Sequence, residues 1–219
     1  MPTHIPGVFR IDPETISRER GFFSQTWSRN EFAVHGLNPR IAECGTSFSA
    51  RKGTLRGIHY QEAPGAQARL VRCTRGAIYG VVLDLRTESP TFGQHFGDIL
   101  SADDRRMLYV PERCGHGFLT LEDATEVFYQ MSEFHAPHAA RGVRWDDPAF
   151  GIDWPGEVVC ISERDRTFAD FVWAPDAADV PSFGHFRPYS GCAPPPAGGL
   201  QTAMEVVPRT VTQRKRSSR

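Results

Sequence analysis

Charge of one sign is missing. The 219 residues carry 25 Lys and Arg against 26 Asp and Glu, a formal net charge of -1. No bulk field exists to gather nucleic acid or an anionic membrane surface, so neither is expected as a partner. No uninterrupted apolar run approaches membrane-spanning length, and the opening Met-Pro-Thr-His-Ile-Pro has no basic patch leading into an apolar stretch. These absences predict a cytoplasmic protein with no signal peptide. Paired cysteines are missing too. Cys44, Cys73, Cys114, Cys160 and Cys192 are odd in number, widely spaced, and form no Cys-x-x-Cys. That excludes a disulfide framework and a zinc ribbon as first expectations and leaves reduced thiols. Helical periodicity is scarce, and there are no internal repeats.

What remains is rich in aromatics and turn formers: 15 Phe, 5 Tyr and 4 Trp among 20 Gly and 17 Pro. Short apolar stretches punctuated by turns every eight to twelve residues or so predict an all-β sandwich or barrel of jelly-roll type, with a ligand cavity between its sheets. Strands are expected at Arg69–Cys73, Ala77–Leu85, Phe92–Leu100 and Met107–Val110, and as a pair at Leu119–Leu121 and Glu126–Met131. Thr74-Arg75-Gly76 reads as a hairpin-like turn. Asp12-Pro13 reads as a turn or helix start, and residues 101–104 as a short helical turn. Ala77–Leu85 is apolar almost throughout and is expected to be central, with Asp84 paired to Arg86. Phe22 and Phe23, beside Arg20, are expected in the core, as are Trp145, Trp154 and Trp173. Ser162-Glu-Arg-Asp165 is a helix-start signature, predicting a short capping helix from about Glu163. From about residue 183 apolar periodicity stops and Pro, Gly and a basic end take over. The expected organisation is one domain over 1–184 and a disordered basic tail over 185–219.

The chemistry centres on Gly53-Thr-Leu-Arg-Gly-Ile-His-Tyr-Gln61. In an extended strand Arg56 and His59 fall on opposite faces. Gly57 between them marks a bulge or a close backbone approach, and either can turn both side chains toward one cavity. His59, Arg69, His116 and Tyr129 lie on or beside expected strands that can line it. A metal centre would need more than His59, Gln61, Glu62 and His116, since two histidines and an amide are a poor set for zinc or iron. Metal-free acid–base chemistry fits better. A histidine oriented by a carboxylate removes a proton beside a carbonyl, a cation or donor steadies the oxyanion, and a tyrosine returns a proton.

Six blocks follow one another along the chain: Gly-Thr-Leu-Arg-Gly-Ile-His-Tyr-Gln, Leu-Val-Arg-Cys-Thr-Arg-Gly-Ala-Ile-Tyr, Leu-Asp-Leu-Arg-x-x-Ser-Pro-Thr-Phe-Gly, Tyr-Val-Pro-Glu-x-x-x-His-Gly-Phe, Val-Phe-Tyr-Gln-Met-Ser and Arg-Gly-Val-Arg-Trp-Asp-Asp-Pro-Ala-Phe-Gly-Ile-Asp-Trp-Pro. In order and spacing, over about Val8 to Phe168, they resemble the dTDP-4-dehydrorhamnose 3,5-epimerase family. The resemblance implies a double-stranded β-helix (cupin) fold and a homodimer exchanging N-terminal strand segments. It also implies epimerisation of a nucleotide-linked 4-keto-6-deoxyhexose with no cofactor and no metal. By the matching positions, His59 is the base, Asp165 orients it and Tyr129 is the acid. Arg20 and Arg56 resemble the groups that hold the diphosphate, and His116 matches a substrate-contacting histidine.

Departures from the family pattern fall outside this triad. Arg69 and Arg164 stand where lysines are usual, Gln25 where a glutamate is, and Cys44-Gly45-Thr46 where Gln-Asp-Asn commonly contacts the nucleotide. Phe134-His135 replaces paired tyrosines, and Ala140 an acidic residue. Gln25, Arg69 and Arg164 are therefore expected as substrate contacts of altered character. The alternatives are an epimerase for a different nucleotide-sugar and a non-catalytic sugar-nucleotide-binding cupin.

Overall fold

The computed structural model describes residues 1–172. Trp173 and the expected tail lie outside the described residues. The chain runs β1 (Phe9–Ile11), a hairpin of β2 (Thr15–Arg18) and β3 (Gly21–Ser24), and helix α1 (Arg29–Val34). Then come β4 (Glu43–Ser49), β5 (Thr54–Gln61), β6 (Arg69–Arg75), β7 (Ala77–Asp84), β8 (His95–Ser101) and β9 (Met107–Val110). β10 (Cys114–Thr120), β11 (Thr125–Met131), β12 (Ala140–Gly142), β13 (Cys160–Ile161) and helix α2 (Glu163–Arg166) complete it.

Two antiparallel sheets face each other. One has the order β1-β9-β6-β11-β4; the other has β12-β5-β10-β7-β8, with β13 pairing parallel to β5. Between them Val71, Cys73 and Val127 of the first sheet meet Ile78, Val82, Leu100 and Phe118 of the second, all nearly or wholly buried. Removing side chains of this size from water stabilises the fold by roughly 1.5–3 kcal/mol each. Ile58, Val81 and Leu83 point the other way, under a cap that includes Val143, Phe150 and Trp154. β7 is an interior strand, as its apolar sequence predicts.

Two expected hairpins are corners between sheets instead. β6 pairs with β9 and β11, while β7 pairs with β8 and β10. Gly76 makes the turn at φ +73, where a Cβ would lie 2.5 Å from Thr125 Oγ1. β10 and β11 likewise join different sheets. The same turn residues serve a hairpin and a corner, because turn chemistry fixes only the local backbone. Ser101 ends β8 and residues 102–104 form a turn without a helix, and Asp12-Pro13 links β1 to β2. α1 was not expected from the sequence, although Ser28-x-x-Glu31 carries a capping pattern: the Ser28 hydroxyl accepts the Glu31 N–H at 3.4 Å.

Phe22 and Phe23 correct the core expectation. They are 51% and 62% exposed on a hairpin whose strands pair only with each other. Asp84 is as expected, a buried structural carboxylate. Burial acts to raise its pKa, but hydrogen bonds from Arg86, Ser89 and Thr91 outweigh it and hold the group at about 2.

The site depends on how β5 lies along β10. Arg56 is opposite Phe118 and His59 is opposite His116, so β5 spends three steps where β10 spends two. That extra residue is a β-bulge, and it puts Arg56 and His59 on the same inner face while Ile58 points outward. Gly57 sits at φ +110, and a Cβ there would lie 2.6 Å from Gly117 Cα and 2.7 Å from the His116 carbonyl. Gly57→Ala is therefore expected to lower the urea-unfolding free energy by more than about 3 kcal/mol, or to prevent folding, while Gly151→Ala, at φ +55 with nothing within 4 Å, adds backbone strain without a clash and costs less.

Candidate active site

β5 carries the base candidate and the backbone group that fixes its partner. β12 pairs with β5 from His59 to Gln61, and β13 pairs with it at Thr54 and Leu55. The Gly57 N–H falls in the gap between the two. It donates to Asp165 Oδ2 at 3.0 Å, and the other carboxylate oxygen, Oδ1, lies 2.7 Å from His59 Nε2. Ser162 caps α2 by accepting the Asp165 N–H at 3.1 Å, which presents the Asp165 side chain to β5. Asp165 is 5% exposed and His59 is 33% exposed. Burial acts to raise the Asp165 pKa, but the His59 imidazole and the Gly57 N–H outweigh it and hold the carboxyl below its ordinary value. An ionised Asp165 can only accept, so Nε2 donates, and in the neutral imidazole the lone pair is on Nδ1.

His116, directly opposite His59, is buried, with no hydrogen-bond partner at Nε2. Its pKa falls to about 3, first through burial and then through the nearby Arg69 and His59. A neutral imidazole is thus available as a hydrogen-bond donor in a dry site. Arg69, on the facing sheet, donates through Nη1 to the His59 carbonyl at 3.1 Å and through Nε to Gln67 Oε1 at 3.1 Å. Burial lowers its pKa, a shift that Tyr129 opposes.

Tyr129 stands on β11 with its ring edge-on to His116, centroids 6.3 Å apart. Its hydroxyl lies 3.4 Å from Ser47 Oγ. Burial raises its pKa, while Ser47, Arg56 and Arg69 pull it back. The phenol keeps its proton near neutrality, and two cations stand ready for the phenolate. Arg56 is held beside it, donating through Nε to Ser49 Oγ at 3.2 Å and through Nη2 to the Phe48 carbonyl at 2.9 Å.

The structure therefore brings His59, Asp165, His116, Arg69, Tyr129 and Arg56 together. It does not bring Arg20 or Gln25 to them. Arg20 is exposed at the β2–β3 turn, and Gln25 lines a separate cavity of about 260 Å³ with Glu14, Phe23 and Trp27. Arg164 is exposed at the rim, its guanidinium 5.6 Å from the Phe168 ring centroid. Cys44 and Thr46 occupy the exposed face of β4, while Ser47 faces Tyr129. Gln61 is unsuited as a metal ligand. Its amide donates to the Gly65 and Phe134 carbonyls and accepts the Ala136 N–H, wholly inside the protein. Among the described residues no group of three or more His, Cys, Asp or Glu is arranged to hold a metal ion, and no helix is long and apolar enough to cross a membrane. Sequence reading missed Ser47 and Phe168; Gly142, a glycine within a strand that signals close approach, pointed to the latter.

Facing antiparallel sheets around a His–Asp pair and an opposed tyrosine define a cupin-like enzyme equipped for proton transfer. The sequence model of dTDP-4-dehydrorhamnose 3,5-epimerase matches residues 2–172. The chain is 43% identical over 172 residues to dTDP-4-dehydrorhamnose 3,5-epimerase of Methanothermobacter thermautotrophicus, covering 77% of this chain and 91% of that protein. It is 36% identical to dTDP-4-dehydrorhamnose 3-epimerase of Streptomyces niveus, covering 89% and 94%. The crystal structure of dTDP-4-dehydrorhamnose 3,5-epimerase from Bacillus anthracis with TDP and PPi bound superposes with a TM-score of 0.75 at 36% identity, covering 78% of this chain and 98% of that one. The chain belongs to the dTDP-4-dehydrorhamnose 3,5-epimerase family.

The His116 geometry has a pH consequence. Its folded pKa of about 3 lies below the ordinary value of 6.5, so the unfolded chain binds the extra proton and stability falls as pH drops below about 6.5. In urea unfolding, His116→Phe should lose about 2 kcal/mol less than the wild type between about pH 7 and pH 5. An identical loss in both proteins would remove His116 as the cause.

Proposed function

We propose that the chain epimerises a dTDP-linked 4-keto-6-deoxyhexose at a carbon beside the C4 ketone, as an enzyme of deoxysugar synthesis. The observation that carries this reading is the opposition of an Asp165-oriented His59 on one sheet to a proton-bearing Tyr129 on the other. Nδ1 of His59 takes the proton, the C–H pair enters an enolate, and the C4 oxygen gains charge beside Arg69 and the His116 donor. The Tyr129 proton forms the new C–H bond on the opposite face. Proton and electron pair are conserved within these residues and the substrate, so the step requires no cofactor and no metal. In this reading Arg56 and the exposed Arg164 meet the diphosphate of the substrate.

The reading extends to a homodimer in which the β2–β3 hairpin serves a second copy. The hairpin exposes the cross-strand pair Ile16 and Phe23 on one face and Phe22, under the Arg105 guanidinium, on the other, exposed apolar side chains of the kind that mark an interface. A partner's hairpin would supply the Arg20 and Gln25 contacts that a single chain leaves outside its cavity. Sedimentation should find a dimer, converted to monomer and losing activity in Phe22→Asp/Phe23→Asp. A monomeric wild type would remove this part of the reading.

The chemical test is NMR of dTDP-4-keto-6-deoxyglucose incubated with enzyme in D2O. Wild type should place deuterium at C3 and C5, and uptake at C3 alone would narrow the activity to that carbon. His59→Ala should lower exchange by about 100-fold or more. Tyr129→Phe should keep wash-in of deuterium but lose net inversion. No exchange by folded wild type would overturn this substrate and favour a different nucleotide-sugar.

A further inference from the structure

Phe168 follows Asp165 by three residues and reaches the same imidazole by another route. Its ring meets His59 edge-on, with centroids 6.3 Å apart and planes at 72°. The space it fills exists because Gly142, the β12 residue directly opposite His59, has no side chain. A Cβ on Gly142 would lie 2.1 Å from Phe168 Cζ. On another side the Arg164 guanidinium approaches the ring, 5.6 Å from its centroid, a cation–π distance. The phenyl ring is thus gripped by a backbone notch, an imidazole and a cation.

Phe168 has no proton to give and no polar atom to offer, so any contribution passes through His59. We propose that Phe168 is a positioning residue: its ring holds the imidazole plane in line with Asp165 and keeps water off the Nε2–H···Oδ1 hydrogen bond, with Gly142 as the notch that admits it. The proposal rests on the reading of His59 as the base. A hydrogen bond shielded from water keeps one tautomer and one ring orientation, which is what leaves Nδ1 aimed into the cavity.

The test combines a substrate-free readout with kinetics. In 15N-histidine NMR of the wild type, His59 should show one tautomer and a downfield Nε2–H signal in slow exchange with water. Phe168→Ala should broaden that signal and mix the tautomers. It should also lower kcat by about tenfold or more, the scale on which outer-shell supports act, with KM changed less than about twofold. Phe168→Leu should restore part of both, which separates positioning from loss of folding. Gly142→Ala should displace the ring and reproduce the defect. The double variant Gly142→Ala/Phe168→Ala should be no worse than Phe168→Ala, because the clash has gone. A retained Nε2–H signal and wild-type kcat in Phe168→Ala, or strictly multiplicative losses in the double variant, would overturn the proposal. If wild type fails to turn over the sugar nucleotide, the substrate reading fails, while the NMR comparison still decides the role of Phe168.

Discussion

A carboxylate enclosed in protein keeps its charge only if donors replace the water it has lost. Asp165 finds them in two places on β5: the N–H of Gly57 and the imidazole of His59. The first is available because two short strands share one edge of β5 and leave a gap at Gly57. The second fixes which nitrogen of His59 carries its proton. One buried charge therefore ties α2 to the middle of β5 and, in the neutral ring, leaves the lone pair of His59 on Nδ1. Architecture and chemistry depend on the same two hydrogen bonds.

Around this pair the cavity assigns protonation states by environment. His116 and Tyr129 are both dehydrated, and dehydration favours the uncharged form of each: an imidazole without its second proton and a phenol with its own. The arginines that flank them, Arg56 and Arg69, bring guanidinium groups to the same site. In the proposed reading the arrangement separates a base, an acid and an oxyanion support. Arg69 illustrates how a departure from the family pattern is absorbed locally. Its planar fork is anchored at two points, by Gln67 and the His59 carbonyl.

Much of this was legible in the chain. Met107–Val110 and the apolar strand ending at Asp84 read directly, because burial on both faces demands continuous apolar sequence. The role of Gly57 read from its position between two residues that needed to share a face. Ser162-x-x-Asp165 announced its capped helix. Partner choice was not legible. Thr74-Arg75-Gly76 and residues 122–124 carry ordinary turn chemistry, yet each leads the chain into the opposite sheet. Phe22 and Phe23 misled for a related reason, since aromatic character signals burial without saying in which body.

The sequence by itself determined the family and the strand-rich class, and singled out His59, Tyr129 and Asp165 as candidates, because blocks of local pattern and spacing survive without reference to distant contacts. Only the tertiary structure decided that β5 carries its bulge against Gly117, that Asp165 spans 106 residues to reach His59, and that Phe168 fills the notch at Gly142. These depend on which backbone lies beside which. That is set by the simultaneous packing of two sheets and has no counterpart in any one stretch of chain.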